Sequence, residues 1–335
     1  MKCRICAASE VTEIGQVEYY SGFSWSVFDC LTCGCRFTKH DESIYNWLHS
    51  HPASIYALYR DLADTCKDLF DQGNLSGLKR ELSKDAKYKF VINALEGLSW
   101  SARLMEVGCG RGCLTSYFIL SGCQIIGTDV SSEAISGAKT AFGDHFFTVD
   151  STAIQNGAPY DVIYHVGTIG CVSDPLRLTR DLLKLLKPGG QLLFNAPNAA
   201  ACWLRGQLWL DAAPPPDLVT LFRRGFWHKH FDETADVTED VEMCPPDQAL
   251  EIGLRNALGR RWQDPKPLQL DASVDAYQHG RRENHHGQNQ LWDWVERGSI
   301  KIGRATYLSY LAPKKPAPFG LFVKMIKKSS AIPDR

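Results

Sequence analysis

The chain has 335 residues, of which 44% are hydrophobic and 22% are charged, enough for an ordinary globular core and about two domains. Its formal net charge is -1 and no long block of charges of one sign occurs. This argues against nonspecific electrostatic binding to nucleic acid or to an anionic membrane. Neither a secretory signal nor an apolar run long enough to span a bilayer is found, so a soluble, cytoplasmic protein is expected.

Two Cys-x-x-Cys pairs, CRIC and CLTC, lie near the N-terminus. Each pair forms a tight turn that aims two thiolates at one point, and two such turns supply the four ligands of a closed tetrahedral zinc site. We therefore predict one structural zinc ion, Zn2+, bound by Cys3, Cys6, Cys30 and Cys33. Cys35 is close enough to be an alternative to Cys33, and a reduced cysteine cluster or a redox pair is the alternative to metal. The intervening EIGQVEYY and WSVFD predict the short strands of a ribbon.

Helical spacing follows the ribbon. SIYALYRDLADTCKDLF predicts one helix that ends near Gly73, and GLKRELSKDAKYKFVINALEG predicts a second that ends near Gly97. These two helices connect the ribbon to the rest of the chain.

Strands and helices then alternate up to Asn198. RLMEVG, QIIGTDV, HFFTVD, YDVIYHVG and GQLLFNAPN predict buried strands, and CLTSYFILSG, SEAISGAKTAFG and DPLRLTRDLLKLLKPGG predict the helices between them. This alternation is typical of an α/β fold with an open, doubly wound parallel sheet. Near the C-terminus, ATYLSYLAP and FGLFVKMIKK predict two closing strands of that sheet. The predicted regions are a zinc ribbon at 1–42, a helical connector at 43–98, a cofactor-binding core at 99–200, and a lid with closing strands at 201–335.

A glycine-rich turn follows the first strand of this predicted sheet, in LMEVGCGRGC. Such turns cradle nucleotides, but a dinucleotide-binding turn has the spacing Gly-x-Gly-x-x-Gly. Here the glycines stand at alternate positions, Cys113 follows the last of them, and the acid Glu106 precedes the first. The fit to a dinucleotide site is therefore poor.

The turn resembles motif I of the class I S-adenosylmethionine-dependent methyltransferases, in which an acid precedes alternating glycines. Asp129 ends the second strand, where the family's acid chelates the ribose hydroxyls, and Asp150 ends the third, where the family places a residue facing the adenine amino group. Both aspartates could instead be ordinary helix caps. The resemblance covers about residues 100–198 and implies a Rossmann-like core with S-adenosylmethionine as cofactor. The cofactor-binding residues that it implies are Glu106, Gly108, Cys109, Gly110, Gly112, Asp129, Val130, Asp150, Ser151 and Gly167.

In methyl transfer the main tasks of the protein are to align the acceptor and to exclude water. A base is needed only if the acceptor must lose a proton. Many small-molecule enzymes of the family carry Leu-Glu-His-Val-x-Asp-Pro after the fourth strand. This chain has Gly170 and Cys171 in place of the Glu and His, so no role of that pair carries over. His165, near the end of the fourth strand, is the candidate catalytic residue that orients substrate or acts as base; a packed core histidine is the alternative.

The segment Trp203–Phe231 is rich in Trp, Phe and Arg. In the family, insertions at this point cap the acceptor pocket, so we predict a substrate lid here. His228 and His230 are two residues apart and would share one face of a strand, as a surface pair or as a site. The adjacent His285 and His286 make a poor metal pair.

A four-cysteine ribbon ahead of such a domain is similar to two known arrangements. One is bacterial methyltransferases of small metabolites, including sugar C-methyltransferases, which usually have a longer C-terminal domain. The other is ribosomal RNA base methyltransferases, whose ribbon grips RNA; here the ribbon's basic and acidic residues balance, which gives that grip no support. We therefore predict methyl transfer to a small-molecule acceptor. RNA base methylation and a non-catalytic, cofactor-binding scaffold or regulatory protein are the alternatives.

Overall fold

The computed structural model describes residues 1–18, 24–39, 58–99, 101–205, 207–210, 215–243 and 318–329. Within them the chain forms two compact units. The ribbon unit is drawn from the described residues of Met1–Asp41, Pro197–Arg224 and Val241–Leu321, and the core unit from those of Glu42–Ala196, Gly225–Asp240 and Phe322–Arg335. Among the described residues, no helix combines the length and the apolar character that crossing a bilayer requires.

The N-terminal part of the ribbon unit consists of short antiparallel strands. They are β1 (Val11–Glu18), β2 (Ser24–Cys30) and β3 (Arg36–Phe37). β2 pairs with both of the others, and the β1 register shifts between Glu13 and Gly15. The rings of Phe28 and Phe37 stack 5.6 Å apart across β2 and β3. The strands predicted from EIGQVEYY and WSVFD are thus confirmed.

Three of the described helices precede the first parallel strand of the core unit. They are α1 (Leu58–Asp71), α2 (Leu75–Leu82) and α3 (Ala86–Ala94). The prediction of one continuous helix over α2 and α3 is wrong. The chain starts a new helix because the Asp85 carboxylate accepts the N–H of Lys87 at 2.8 Å and so caps α3. Leu78 and Ile92 are buried in the same apolar core as Leu104 of the sheet, so these helices are part of the core unit.

Strands and helices alternate through the rest of the core unit. The elements are β4 (Arg103–Val107), α4 (Cys113–Leu120), β5 (Gln124–Asp129), α5 (Ser132–Phe142), β6 (Phe146–Thr148), α6 (Thr152–Gly157), β7 (Tyr160–His165), α7 (Pro175–Leu185) and β8 (Leu186–Pro197). β4 lies between β5 and β7, and the pairings from β6 to β8 are all parallel. The strand order reverses beside β4, and open α/β sheets bind ligands at the carboxyl ends of the strands at such a point. The doubly wound, Rossmann-like prediction is confirmed.

The chain beyond β8 contributes to both sheets. Its described elements are α8 (Ala199–Arg205), β9 (Thr220–Leu221), α9 (Phe226–Phe231), β10 (Ala235–Met243) and β11 (Pro318–Lys327). β9 pairs with β3, which gives the sheet order β1-β2-β3-β9. The large sheet has seven strands in the order β10-β11-β8-β7-β4-β5-β6. β11 confirms the strand predicted from FGLFVKMIKK, whereas ATYLSYLAP, His285 and His286 lie outside the described residues.

Candidate cofactor site and metal centre

The turn after β4 requires glycine because its backbone has positive φ angles, and at Gly108 also because there is no room for a side chain. Gly108, Gly110 and Gly112 have φ angles of +71°, +52° and +80°, which residues with a side chain rarely adopt. A Cβ on Gly108 would lie 2.3 Å from Oγ1 of Thr168, so this position is closely packed. At Gly110, by contrast, no described residue other than its two chain neighbours has an atom within 4 Å of where a Cβ would stand. The turn is therefore anchored at its start and open to a ligand at its centre.

Asp129, the last residue of β5, is joined to the centre of this turn. Its Oδ2 accepts the N–H of Gly110 at 2.8 Å, and its Oδ1 accepts the N–H of Ser131 at 2.9 Å. A carboxylate oxygen has room for a second donor, so both oxygens can also accept from a pair of neighbouring hydroxyls. Ser131 is the N-cap of α5 and accepts the N–H of Ala134 at 3.1 Å. The cap is therefore supplied by Ser131, which leaves Asp129 for the turn and a ligand.

Two aliphatic side chains stand exposed where β5 and β6 end. Val130 follows β5 and is 64% exposed, and Val149 follows β6 and is 50% exposed. Exposed aliphatic groups beside the polar turn offer apolar surface to a flat ring such as adenine. Sequence reasoning identified Val130 but missed Val149, although both directly follow a strand that ends at the same edge of the sheet.

Asp150 and Ser151 follow Val149. Asp150 lies two residues beyond the end of β6 and is exposed, so the strand is shorter than predicted. Hydrogen bonds with the Thr148 side chain and with its own backbone lower the pKa of Asp150, which keeps it an ionised acceptor. The Ser151 hydroxyl accepts the N–H of Ala153 at 3.3 Å and caps α6. Ser151 thus positions the chain after Asp150, and a direct contact with the cofactor stays a prediction.

Glu106 is buried in β4, before the glycine turn, and is only 3% exposed. The hydroxyls of Thr115 and Tyr164 both donate to its Oε2, that of Tyr164 at 3.3 Å. Burial raises the pKa of Glu106 to about 8, although both hydroxyl contacts act to lower it. The sequence did not indicate Thr115 and Tyr164 as partners of Glu106. They lie on other elements, α4 and the neighbouring strand β7, and meet Glu106 only in the folded chain.

Because Glu106 is buried, we expect the free energy of unfolding to depend on pH. The folded protein favours the protonated form of Glu106, so its contribution to stability is complete below the unfolded pKa of 4.5 and is lost as the pH rises through about 8. In that window the group should lower the free energy of unfolding by about 1.4 kcal/mol for each pH unit. Urea unfolding of the wild type and of Glu106→Gln at several pH values checks this. A wild-type minus variant difference that does not change with pH would contradict it.

Gly167 follows β7 by two residues and is exposed, with a φ angle of +74°. Its N–H donates to Oδ1 of Asn195 on β8 at 2.8 Å. Apart from its two chain neighbours, no described residue has an atom within 4 Å of where its Cβ would stand. The backbone here is held from one side and open on the other, which suits the predicted lining of a cofactor pocket.

His165, the candidate catalytic residue, is the last residue of β7 and is fully buried. Its ring stacks on that of Phe194 with centroids 4.6 Å apart. Neither ring nitrogen has a hydrogen-bond partner among the described residues. Burial lowers the pKa of His165 to about 3, so the imidazole is neutral and weakly basic near pH 7. The geometry favours the packed-histidine interpretation over a general base.

We therefore expect His165→Leu to lower methyl transfer by less than about tenfold, since removal of a true general base costs roughly 10²–10⁴-fold. Turnover of labelled S-adenosylmethionine by the variant measures the effect, with thermal unfolding to verify the fold. His228→Leu, at a residue hydrogen-bonded only to Asp232 among the described residues, is the control. A loss of methyl transfer of more than about 100-fold in a stably folded variant would indicate that His165 is a general base.

His228 and His230 lie on the helix α9, so their placement on one face of a strand is wrong. Nδ1 of His228 lies 3.1 Å from Oδ1 of Asp232, one helical turn further on. The ring of His230 packs 4.6 Å from that of Phe226. Residues two apart on a helix point in different directions, so the two imidazoles are not brought together.

Four thiols converge in the ribbon unit. The Sγ atoms of Cys3, Cys6, Cys30 and Cys33 lie within 4.8 Å of one another. The separations are 3.9 Å between Cys3 and Cys33 and 3.7 Å between Cys6 and Cys30. A tetrahedron with zinc–sulfur bonds of about 2.3 Å has sulfur–sulfur edges of about 3.8 Å. The donor set therefore fits zinc in both chemistry and spacing.

Cys35 is buried but is not one of the four converging thiols. Gly34, with a φ angle of +70°, donates its N–H to the carbonyl of Cys30 at 2.8 Å and closes the second turn. The N–H of Cys30 in turn bonds the carbonyl of Cys35 at 3.0 Å. A hydrogen bond with Cys33, together with burial, raises the pKa of Cys3, so a bound cation would be needed to hold these groups as thiolates.

Known proteins resemble much of this chain. The family described as "Methyltransferase domain" matches residues 59–234, which is more than half of the chain. A protein of Aliivibrio fischeri named ubiquinone biosynthesis O-methyltransferase is 30% identical over 158 residues, 45% of this chain and 65% of its own length. A protein of the same name from Vibrio cholerae is 30% identical over 121 residues, 33% of this chain and 48% of its own. The chain therefore spans less than two thirds of the curated relatives that it matches.

Solved structures show a weaker likeness. The crystal structure of a SAM dependent methyltransferase from Archaeoglobus fulgidus has 17% sequence identity and a TM-score of 0.42, over 76% of this chain and 94% of that one. A likeness of this size does not bear on the acceptor.

Proposed function

The chain belongs to the class I S-adenosylmethionine-dependent methyltransferases, and we propose that it transfers a methyl group from this cofactor to a small-molecule acceptor. The observation that carries the proposal is the carboxylate of Asp129, fixed to the open centre of the glycine turn at Gly110. Two carboxylate oxygens held side by side at the end of a parallel strand suit the vicinal hydroxyls of a ribose.

We assign the parts of the cofactor to particular residues. Asp129 accepts hydrogen bonds from the ribose hydroxyls, and Val130 and Val149 cover the adenine ring. Asp150, ionised and exposed, accepts from the adenine amino group. The open backbone at Gly110 admits the cofactor close to the chain. Bound S-adenosylmethionine supplies a methyl group that its sulfonium has already activated, so the remaining tasks of the protein are alignment and exclusion of water.

For the acceptor, we propose a hydroxyl-bearing small molecule. The two relatives compared above are named as O-methyltransferases of ubiquinone biosynthesis, which makes oxygen the first acceptor atom to test. The balance of charged residues in the ribbon gives no support to an RNA grip. A nucleotide-linked sugar is the other small-molecule class that the ribbon suggests.

We also propose that the four-cysteine cluster holds one structural zinc ion. Four thiolates fill a tetrahedral site and leave no position for a substrate or a reactive water. The metal would hold the two cysteine turns together and stabilise the short strands between them, rather than take part in methyl transfer.

Incubation of the purified protein with methyl-labelled S-adenosylmethionine and a fractionated cell extract tests the function. We expect label in the small-molecule pool, and far less of it with Asp129→Ala at the same concentration of cofactor. Label in an acid-insoluble, ribonuclease-sensitive pool would replace this proposal with RNA methylation. Cofactor binding without transfer into any pool would instead indicate a scaffold or regulatory protein.

A further inference from the structure

The segment that follows β7, residues 167–171, is held against β4 by a side chain. Pairing between β4 and β7 ends at Glu106 and Tyr164, so the ladder itself does not reach this segment. Instead, Oγ1 of Thr168 donates to the main-chain carbonyl of Val107, the last residue of β4, at 3.2 Å. One hydroxyl thus continues the attachment to β4 beyond the end of the ladder.

Thr168 also fills the space beside the first glycine of the cofactor turn. A Cβ on Gly108 would lie 2.3 Å from Oγ1 and 3.2 Å from Cγ2 of Thr168. Contacts this close transmit a displacement instead of absorbing it. A shift of Thr168 would therefore change the distance between the glycine turn and the segment 167–171.

Asn195 holds the same segment from the other side. It lies on β8, which neighbours β7 on the side away from β4, and its Oδ1 accepts the N–H of Gly167 at 2.8 Å. The N–H of Cys171 donates to the carbonyl of Thr168 at 3.0 Å and closes the segment into a turn. All of these residues belong to the core unit. The backbone at Gly167 is thus fixed between β4 and β8 and stays open where its Cβ would stand.

The strand order indicates which part of the cofactor would lie at this segment. Neighbouring strands run in the order β7-β4-β5-β6 and are about 4.8 Å apart. On the proposed assignment, Asp129 at the end of β5 accepts from the ribose, and the adenine lies towards β6. The methionine part then extends the opposite way, across the glycine turn after β4 and towards Gly167 after β7.

We propose that Thr168 and Asn195 are positioning residues, which hold the backbone at Gly167 where it contacts the methionine part of the cofactor. This inference rests on the proposed function. Neither side chain has to touch the cofactor, because together they set the distance between two open stretches of main chain, at Gly110 and at Gly167. A segment fixed in advance favours binding, because it does not have to be ordered when the ligand arrives.

The first test uses Thr168→Val, which keeps the shape of the side chain and removes its hydroxyl. Binding of S-adenosylmethionine should weaken about three- to tenfold, as for the loss of one hydrogen bond. Adenosine has the ribose and the adenine but no methionine, so it should bind the variant as it binds the wild type. Thr168→Ser keeps the hydroxyl and should restore the affinity for S-adenosylmethionine. Titration calorimetry with both ligands measures these affinities.

Thr179→Val is the matched control. Thr179 is a buried threonine of α7, and its hydroxyl also donates to a main-chain carbonyl, that of Pro175, at 2.8 Å. The control variant should bind S-adenosylmethionine and adenosine as the wild type does, whatever the change in its melting temperature. A general loss of stability in the core unit is thereby separated from a displaced segment 167–171.

The second test uses Asn195→Leu, which removes the acceptor for the N–H of Gly167 at a similar side-chain volume. Gly167 is exposed, so water can accept from its N–H and the melting temperature should change little. The affinity for S-adenosylmethionine should nevertheless fall about three- to tenfold, with that for adenosine unchanged. A purely structural role of Asn195 would give the reverse, a lower melting temperature with both affinities unchanged.

Equal losses for S-adenosylmethionine and adenosine in Thr168→Val, or no loss for either ligand, would overturn the inference, because the segment would then not face the methionine part. If the wild type binds neither ligand, the proposed function and this inference both fail. If it binds S-adenosylmethionine but labels no acceptor, only the proposed methyl transfer fails. The comparison of the two ligands then still decides the role of Thr168 and Asn195.

Discussion

Cys30→Ser should abolish zinc binding and unfold the ribbon unit while the purified chain still binds S-adenosylmethionine. The four thiols converge at the spacing of a tetrahedral zinc site, and three ligands with a weak hydroxyl do not complete it. Structural zinc sites contribute about 10–16 kcal/mol of apparent binding free energy. That is as much as the whole free energy of unfolding of a typical domain, about 5–15 kcal/mol. Metal analysis should find no zinc in the variant. Calorimetry should show that the unfolding transition of the ribbon unit is missing.

Cys35→Ser is the matched control, because Cys35 is buried nearby but is not among the converging thiols. It should keep one zinc per chain. Loss of zinc in Cys35→Ser with retention in Cys33→Ser would show that the ligand set includes Cys35 in place of Cys33. Retention of one zinc per chain in Cys30→Ser would contradict the proposed four-cysteine zinc site.

Much of the core sheet could be predicted from sequence because its strands are buried on both faces and bounded by turns. RLMEVG, QIIGTDV and YDVIYHVG each correspond to a strand beside the glycine turn. Their parallel pairing followed from the alternation of strands and helices, because each helix crosses over a face of the sheet between two strands. Local pattern was sufficient here because each strand is a run of mostly buried, apolar residues bounded by turns.

The short elements could not be predicted in the same way. β9 has two residues, and its pairing with β3 joins positions far apart in the chain, so no periodicity marks it. The break between α2 and α3 depends on one capping carboxylate, Asp85, within a stretch whose apolar spacing continues past it. In both cases contacts of only one or two residues decided the structure.

The site shows the same division. The glycines and Asp129 stand directly after strands, and the sequence locates strand ends well. The hydrogen-bond partners of Glu106 depend on which side chains meet after folding.

Asp129→Ala should weaken S-adenosylmethionine binding by roughly 10²–10⁴-fold. Each hydrogen bond to a charged group is worth about 1.5–3 kcal/mol, and we propose that this carboxylate accepts two of them from the ribose hydroxyls. A tenfold change in affinity is about 1.4 kcal/mol. The variant also loses the acceptor for the N–H of Gly110, which holds the centre of the turn. Titration calorimetry measures the loss. Asp144→Asn, at an exposed residue paired with Lys139, should bind as the wild type does.

A cofactor analogue without the ribose 2′-hydroxyl separates the two effects of Asp129. In the wild type the analogue should bind more weakly than the cofactor, because one lone pair of the carboxylate loses its donor. In Asp129→Ala the cofactor and the analogue should bind alike, because the group that distinguishes them is gone. If the analogue is still discriminated in the variant, the ribose contact belongs to another residue. Asp129 then acts only through its hydrogen bonds to Gly110 and Ser131.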